Sequence, residues 1–290
     1  MTPADRAVDG LAVVDKPTGM TSHDVVARCR RALGTRKVGH AGTLDPAATG
    51  VLLVGAGRVT RLLRFMTALP KTYAGELLLG TATTTLDAEG EVVGTWDMSG
   101  VTPAQVAEAA GALTGAILQV PPMVSAVKVG GRRLHELARA GIEVERAPRP
   151  VTVRRFDVVP AGGRPGVYRF EVECSSGTYV RVLAADLGER LGGGASLLNL
   201  RRLAVGPFDL RGAVALDDVG PDRLLTPAEA VSFLPRREVD GAEAVDVGHG
   251  RPLAGEGEGP VAVVDDAGRL LAVYEPSGGA LRAGVVVEPA

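Results

Sequence analysis

The feature that most constrains the chain is a loop over residues 36–50, where three glycines, one proline and two threonines oppose regular structure. An amphipathic helix is predicted before this loop and a short apolar strand after it, and Asp45 lies near its centre. Nine lysines and arginines lie between positions 28 and 71, and Asp45 is the only acid among them, so this segment has a net charge of +8. Two interpretations follow: an Asp-Pro turn with a surface aspartate, or an anionic partner drawn to one particular carboxylate.

The overall composition predicts a sizeable core, in one large domain or in a large domain and a small one. The N-terminal residues are polar and unlike a signal peptide, and no apolar run approaches the roughly 18 residues of a membrane span. Cys29 and Cys174 stand far apart in apolar segments, which favours core packing over a disulfide or a metal site. We therefore expect a soluble, cytoplasmic monomer with no membrane partner and no metal.

The N-terminal part alternates short strands and helices. A strand leads into a turn-rich loop, and Ser22 is a suitable N-cap for a helix that Gly34 ends. Gly55 and Gly57 follow the strand over 51–54 as in a dinucleotide-binding turn, but the third glycine and the acid expected further on are missing. The sequence therefore does not predict a nucleotide cofactor.

Two later regions differ in charge. Over residues 128–155 there are eight lysines and arginines against three acids, which predicts a basic arm inserted between strands, with a solvated helical hairpin as the alternative. Over residues 233–290 there are ten acids against five arginines, and short valine-rich runs between glycines predict a small β domain. Its net charge of −5 argues against this domain as the main clamp on a nucleic acid.

Several motifs, taken together and in order, resemble those of the bacterial tRNA pseudouridine-55 synthase family, the TruB family. The resemblance covers roughly residues 10–210. At four positions, Ala41, Ala47, Ser176 and Val182, the chain departs from the residues usual in the family, and we expect the missing cation at 176 to weaken one RNA contact. The matching motifs are Asp15-Lys16-Pro17 with Gly19, Thr21 and Ser22; Val38 to Gly50; Lys71-Thr72-Tyr73; Gly80 to Gly90; Pro121-Pro122 with Ser125, Ala126 and Lys128; Gly177 to Arg181; and Leu200 to Val205.

The resemblance implies an α+β fold, in which a mixed, largely antiparallel sheet flanked by helices forms the pseudouridine synthase core. It implies a catalytic domain over residues 1–232, with the basic arm at about 124–152. The remaining residues, 233–290, would form a small β-rich, PUA-like C-terminal domain.

The same resemblance implies a set of site residues. Asp45 matches the family's essential aspartate, and Arg181 matches the arginine that pairs with it and aims it. Tyr73 matches the tyrosine that stacks on the target base and helps to remove the C5 proton. Other roles stay open: a turn aspartate, a structural ion pair, a core tyrosine or leucine, a loop histidine and surface lysines. The substrate-binding residues implied are His40, which holds the everted nucleotide, Leu200, an apolar wall for the base, and Lys16 and Lys128, which contact phosphate or a loop.

The implied activity is isomerisation of uridine 55 in the T-loop of tRNA, with the T-arm stem-loop as partner. The base must leave its stack, the C1′–N1 bond must break, and the base must rejoin through C5. This exchange implies no cofactor. Attack by Asp45 at C1′, attack at C6 and proton removal from C2′ all remain open. The alternatives are a pseudouridine synthase with another or a broader RNA target, and a tRNA-binding module that aids folding without catalysis.

Overall fold

The computed structural model of the protein describes residues 8–125, 127–255 and 257–288. The chain divides into two compact units: one contains the residues up to Leu69 and those from Val205 onward, and the other is Pro70–Ala204. For six residues of the arm only the backbone is described: Lys128, Val129, Arg133, His135, Ala138 and Arg139.

The strands are β1 (Gly10–Lys16), β2 (Val38–Ala41), β3 (Thr49–Ala56), β4 (Lys71–Leu79), β5 (Thr81–Thr83), β6 (Val92–Thr95), β7 (Gly115–Gln119), β8 (Lys128–Val129), β9 (Arg132–Arg133), β10 (Arg149–Pro160), β11 (Val167–Cys174), β12 (Ala195–Val205), β13 (Phe208–Asp209), β14 (Val214–Ala215), β15 (Arg236–Glu238), β16 (Val261–Val264), β17 (Leu270–Ser277) and β18 (Ala280–Val286). The helices are α1 (Ser22–Ala32), α2 (Leu63–Thr67), α3 (Pro103–Gly111), α4 (Leu134–Arg139), α5 (Val180–Arg190), α6 (Pro227–Ala230) and α7 (Gly241–Gly248). Single 3-10 turns occur at Gly57–Arg61, Leu210–Gly212, Leu216–Asp218 and Pro221–Arg223.

Strand β1 lies at the centre of the first unit. It pairs antiparallel with β3 over its whole length and parallel with β14, while β2 pairs antiparallel with β3. Leu11 and Val13 point into one apolar core, and Ala12 and Val14 point into another on the opposite face. A strand that is buried on both faces needs a nearly continuous apolar sequence, which is what residues 10–14 provide.

Helix α1 covers one face of this sheet with Val25, Val26 and Cys29. Its N-cap is Thr21, which forms a capping box with Asp24, so the prediction that Ser22 caps the helix was wrong by one residue. Ser22 is the first helical residue, and its side chain turns away from the cap. Cys29 and Cys174 are both buried free thiols, as predicted.

The C-terminal residues form a four-stranded sheet in the order β15-β16-β17-β18, which confirms the predicted small β domain. Its core includes Val263, Ala272 and Tyr274, together with Val247 of α7. The Tyr274 hydroxyl is buried and donates to the Arg251 carbonyl at 2.8 Å, and this hydrogen bond offsets the free-energy cost of burying the hydroxyl.

A row of three arginines from the stretch 57–67 docks this C-terminal domain within the first unit. The Arg58 guanidinium donates to the Val287 carbonyl at 2.9 Å and pairs with Glu288 at 2.8 Å. Arg61 donates to the Val286 carbonyl at 2.8 Å, and Arg64 pairs with Glu275. The three side chains are spaced three residues apart, so they lie on one side of the helical stretch.

The second unit contains a sheet in the order β12-β4-β11-β10-β7, in which β4, β11, β10 and β7 pair antiparallel in turn. Its core includes Leu77, Val153, Phe156 and Val172. Strands β5 and β6 form a separate hairpin, and the arm contains the short hairpin β8–β9 followed by α4. Sheets that are mainly antiparallel, flanked by helices, confirm the predicted α+β class.

Candidate active site

Asp45 lies in the loop between β2 and β3, within a tight turn. The Ala48 amide donates to the Asp45 carbonyl at 3.1 Å, and Pro46 occupies the second position of this turn, where its fixed φ is favourable. Leu44 and Ala48 are buried on either side, whereas Asp45 itself is half-buried. The turn therefore presents one carboxylate between two apolar anchors.

Lys16, at the end of β1, contacts the backbone of this turn just after Asp45. Its ammonium donates to the carbonyls of Pro17 at 2.9 Å, Met20 at 2.7 Å and Pro46 at 3.1 Å. The Gly19 amide donates to the same Pro46 carbonyl at 2.9 Å. The Lys16 side chain is fully buried and contacts the loop, which is one of the two contacts predicted for it.

Ser22, the first residue of α1, contacts the backbone of the turn just before Asp45. Its hydroxyl accepts from the Leu44 amide at 2.9 Å and donates to the Leu44 carbonyl at 3.1 Å. Thr18 adds a hydrogen bond to the Ala47 carbonyl at 3.2 Å. The segment between β1 and α1 thus contacts the backbone on both sides of Asp45.

His40 lies on β2, opposite Val54 of β3, and is half-buried. Its ring meets that of His23, from the first turn of α1, edge to face with 5.4 Å between centroids. The position five residues before Asp45, on the strand that leads into its loop, is compatible with the predicted contact to a nucleotide.

Tyr73 lies on β4 in the second unit, paired with Val172 of β11, and is 9% exposed. Two residues earlier on the same strand, Lys71 is buried, and its burial, together with the neighbouring Arg202 cation, lowers its pKa from 10.5 to about 8. Leu200 lies on β12 and is half-buried. The side chain of Lys128 lies outside the described part of the structure.

Arg181 is the second residue of α5 and is buried. One terminal nitrogen donates to the Val124 carbonyl at 2.8 Å, and the other lies 3.5 Å from a carboxylate oxygen of Asp87. Asp87 was not among the predicted site residues. The start of α5 is fixed by Gln119, whose amide both accepts from the Tyr179 N–H at 2.7 Å and donates to the Tyr179 carbonyl at 3.1 Å.

The loop of Asp87 is held by its own neighbours. The hydroxyl of Thr85 and the amide of Glu89 donate to one Asp87 carboxylate oxygen, and the Thr83 hydroxyl donates to the Asp87 carbonyl at 2.6 Å. Leu86 has a φ of 65°, a left-handed conformation that non-glycine residues seldom adopt. The threonines that precede Asp87 were the available signal in the sequence, but only the tertiary contact with Arg181 shows that Asp87 is relevant.

The basic segment around Asp45 is less available to an anion than its composition predicts. Arg28 pairs with Asp217 at 2.6 Å, and Arg30 donates to the Val38 carbonyl at 3.0 Å. Lys71 is buried, and the three arginines described above dock the C-terminal domain. The remaining cations of the segment are exposed near the end of α1 and the start of β2: Arg31, Arg36 and Lys37.

Among the described residues, no group of three or more His, Cys, Asp and Glu side chains is placed to hold a metal ion. No helix in the described ranges is both long enough and apolar enough to cross a membrane.

Two solved structures contain chains with this fold. A chain of a Cbf5–Nop10–Gar1 complex aligns with a TM-score of 0.77 and 26% identity, covering 99% of this chain and 88% of that one. A chain of an H/ACA ribonucleoprotein bound to a substrate RNA containing 2′-deoxyuridine aligns with a TM-score of 0.75 and 23% identity, again over 99% and 88%. The family model of the TruB pseudouridylate synthases also matches this chain, so the fold is that of the pseudouridine synthases, as predicted, and the protein is an isomerase.

Family models match consecutive parts of the sequence. The TruB family pseudouridylate synthase N-terminal domain matches residues 30–180, the tRNA pseudouridylate synthase B C-terminal domain matches 181–231, and the tRNA pseudouridine synthase II C-terminal domain matches 234–288. The tRNA pseudouridine synthase B of Rhodococcus jostii (strain RHA1) is 51% identical over 97% of this chain and 94% of its own length. That of Mycobacterium sp. (strain KMS) is 49% identical over 97% of both. The chain belongs to the TruB family.

Proposed function

We propose that this enzyme converts uridine to pseudouridine in tRNA, at position 55 of the T-loop. The observation that carries the proposal is the Asp45 turn, a single half-buried carboxylate whose backbone is held on both sides, within a chain that belongs to the TruB family. A carboxylate fixed in direction is what nucleophilic or general-base chemistry at a nucleotide needs. The 51% identity to a protein named for tRNA supports tRNA as the substrate.

We assign the chemistry to Asp45, Tyr73 and Arg181. Asp45 acts as nucleophile or base, Tyr73 stacks on the base and assists removal of the C5 proton, and Arg181 orients carboxylate groups. The pairing of Arg181 with Asp45 stays a prediction; its contact with Asp87 adds a second carboxylate to the groups that Arg181 orients. Attack at C1′, attack at C6 and abstraction from C2′ are each compatible with these residues.

The target base must be turned out of its stack, which costs a few kcal/mol. Phosphate contacts offset that cost, and the exposed cations Arg31, Arg36 and Lys37 are suited to provide them, together with the basic arm over about 124–152. His40 and Leu200 remain the proposed contacts to the everted nucleotide, and Lys128 a proposed phosphate contact.

The domain boundary proposed from the sequence, between residues 232 and 233, falls between the spans of two family models, 181–231 and 234–288. A cytoplasmic monomer that needs neither metal nor cofactor remains our expectation. Activity on an isolated T-arm stem-loop in the presence of EDTA would agree with this expectation, and a strict metal requirement on that prefolded substrate would contradict it.

The decisive experiment uses an unmodified tRNA transcript that contains 5-tritiated uridine. Joining C5 to the sugar releases the C5 proton, so tritium release measures turnover, and chemical mapping of pseudouridine locates the modified position. We expect release from one uridine, at position 55. Modification of several RNAs would favour the broader-target alternative, and tight binding without release would favour the folding-module alternative.

The first prediction is that Asp45→Asn lowers the single-turnover rate by at least about 1,000-fold, because an amide is neither a nucleophile nor a base of comparable strength. The tRNA dissociation constant should change by no more than about threefold, because phosphate contacts dominate binding. Asp222→Asn, at an exposed acid of the same unit, is the matched control and should keep the wild-type rate. Turnover at the wild-type rate in Asp45→Asn would disprove the proposed function.

A further inference from the structure

Ser22 makes an unusual contact for a serine at the start of a helix. Its hydroxyl bonds both backbone groups of Leu44, at 2.9 Å to the amide and 3.1 Å to the carbonyl, across 22 residues of sequence. A serine hydroxyl has one proton and free lone pairs, so it can donate one hydrogen bond and accept another at the same time. Ser22 is 1% exposed, so water does not replace these bonds in the folded protein.

The helix does not need this hydroxyl. The N-cap function of α1 belongs to Thr21, which has extended backbone angles and exchanges hydrogen bonds with Asp24. A serine in the first turn of a helix ordinarily satisfies a local backbone group or faces water. The Ser22 hydroxyl does neither, because it is directed at the loop.

The residue that Ser22 holds is the one immediately before Asp45. On the other side of Asp45, the Pro46 carbonyl accepts from the Lys16 ammonium at 3.1 Å and from the Gly19 amide at 2.9 Å. The backbone is thus fixed one residue before and one residue after the carboxylate. Lys16 and Gly19 hold the second of these points, and the Ser22 hydroxyl adds directional hydrogen bonds at the first, where the apolar packing of Leu44 has no preferred direction.

We propose that Ser22 is a positioning residue, whose two-way bond to Leu44 sets the direction in which Asp45 presents its carboxylate. This inference rests on the proposed role of Asp45. Ser22 itself does not contact the reacting nucleotide; its effect is on the geometry of the turn. Catalytic groups displaced by about 1 Å lose on the order of 100-fold in rate, so a hydroxyl at this place has a measurable consequence.

The test compares Ser22→Ala with Thr21→Ala in single-turnover tritium release from tRNA, at a temperature well below unfolding. Ser22→Ala should lower the rate about 10- to 100-fold and leave the tRNA dissociation constant within about twofold of wild type. Thr21→Ala is the matched control: it removes the helix cap and lowers the melting temperature, but it keeps the Ser22 hydroxyl and should keep the wild-type rate. Hydrogen exchange at the Leu44 amide should accelerate at least about tenfold in Ser22→Ala alone.

If Ser22→Ala does not yield folded protein, Ser22→Cys replaces the oxygen with a weak donor and weak acceptor of similar shape, and an intermediate rate is expected. A wild-type rate in either folded Ser22 variant overturns the inference. Equal rate losses in Ser22→Ala and Thr21→Ala also overturn it, because the effect would then follow from helix stability. Full activity in Asp45→Asn is a separate outcome, because it removes the proposed function regardless of what the Ser22 variants do.

Discussion

Two loops of this enzyme carry the carboxylates of Asp45 and Asp87, and the two loops are held in opposite ways. The Asp45 turn is held from outside: Lys16, Gly19 and Ser22 contact it from 22 or more residues earlier in the chain. The Asp87 loop is held mainly from within, by Thr83, Thr85 and Glu89. A backbone hydrogen bond from the Leu197 amide to the Leu86 carbonyl, at 3.0 Å, connects this loop to β12.

The difference shows what each loop depends on. A loop held by its own neighbours keeps its local geometry when a distant contact is lost, because closing a short loop costs little entropy. A loop held by distant residues takes its shape only when the segment that contacts it has folded. The direction of Asp45 therefore depends on the whole β1–α1 connection, whereas that of Asp87 depends on a few threonine hydroxyls and amides.

Among variants that test the comparison of the two loops, the largest effect should come from Lys16→Met. The variant removes the buried ammonium that binds the carbonyls of Pro17, Met20 and Pro46, and only Pro46 keeps a second donor, the Gly19 amide. We therefore expect a loss of about 3 kcal/mol in the free energy of unfolding and a rate loss above about 100-fold. Urea titration and single-turnover kinetics measure the two. Lys37→Met, at an exposed lysine of the same segment, should change the stability by less than about 0.5 kcal/mol. Near-normal stability in Lys16→Met would show that the turn does not need the hydrogen bonds of the Lys16 ammonium.

The next effect in size should come from Asp87→Asn. The amide has nearly the same shape but lacks the charge that faces Arg181 at 3.5 Å, so Arg181 loses an orienting partner. We expect a rate loss of about 10- to 100-fold with tRNA binding unchanged. Asp97→Asn, at an exposed acid beyond β6, serves as the control and should have no effect on the rate. An unchanged rate in Asp87→Asn would show that the ion pair between Arg181 and Asp87 does not contribute to catalysis.

A smaller effect should follow from Thr85→Val. Valine has the shape of threonine without the hydroxyl that donates to the Asp87 carboxylate. Because the Glu89 amide at 3.1 Å and the Thr83 hydroxyl remain, we expect only about a threefold loss in rate. Thr95→Val, at an exposed position of β6, is the control. If Thr85→Val lowers the rate as much as Asp87→Asn does, the remaining contacts of the Asp87 loop are not sufficient to hold it. The proposed difference between the Asp87 and Asp45 loops would then be wrong.

The last prediction concerns the pH dependence of stability in the second unit, where no effect on the rate is involved. The pKa of Lys71 is lowered to about 8 in the folded protein by burial and by Arg202, whereas the unfolded chain has the ordinary value of 10.5. Between these values the unfolded state binds the proton and the folded state does not, so stability rises as pH rises from about 8 to 10.5. The rise contributed by Lys71 is at most about 3 kcal/mol.

Urea titrations of wild type and Lys71→Met across this pH range measure that contribution. The difference in unfolding free energy between the two proteins should change with pH over the window and be constant below it. A difference that does not change with pH would mean that Lys71 carries its charge in the folded protein without penalty.

Local signals in the sequence were sufficient for much of the fold. The Gly, Pro and Thr content of residues 36–50 predicted a loop, which is right for residues 42–48 but wrong for Val38–Ala41, which form β2. The apolar run over 51–54 predicted β3, which begins two residues earlier, at Thr49. The same local signals could not choose between Thr21 and Ser22 as the helix cap, because both side chains suit the position. The structure shows that the Ser22 hydroxyl binds the backbone of Leu44, so Thr21 serves as the helix cap.

Contacts between distant residues explain what the sequence did not show. Arg58 meets Val287 across 229 positions, so counting it as a cation near Asp45 overstated the charge available to RNA. Lys16 was a lysine beside a catalytic motif, and its burial follows from strand pairing that composition does not reveal. Asp87 acquires its partner only because α5 starts where Gln119 fixes it.

The arginine row that holds the C-terminal domain has a practical consequence for handling the protein. Proteolytic cleavage before Phe233 would remove residues 233–290, with their ten acids and five arginines, and would change the formal net charge from −2 to +3. The same cut would strip Arg61 and Arg64 of the carbonyl and carboxylate that now engage them. Such a proteolytic fragment would pass through an anion exchanger that retains the intact protein and would adhere to heparin or bulk RNA. Chromatographic behaviour on these two resins is therefore a quick assay for integrity of the C-terminus in any preparation.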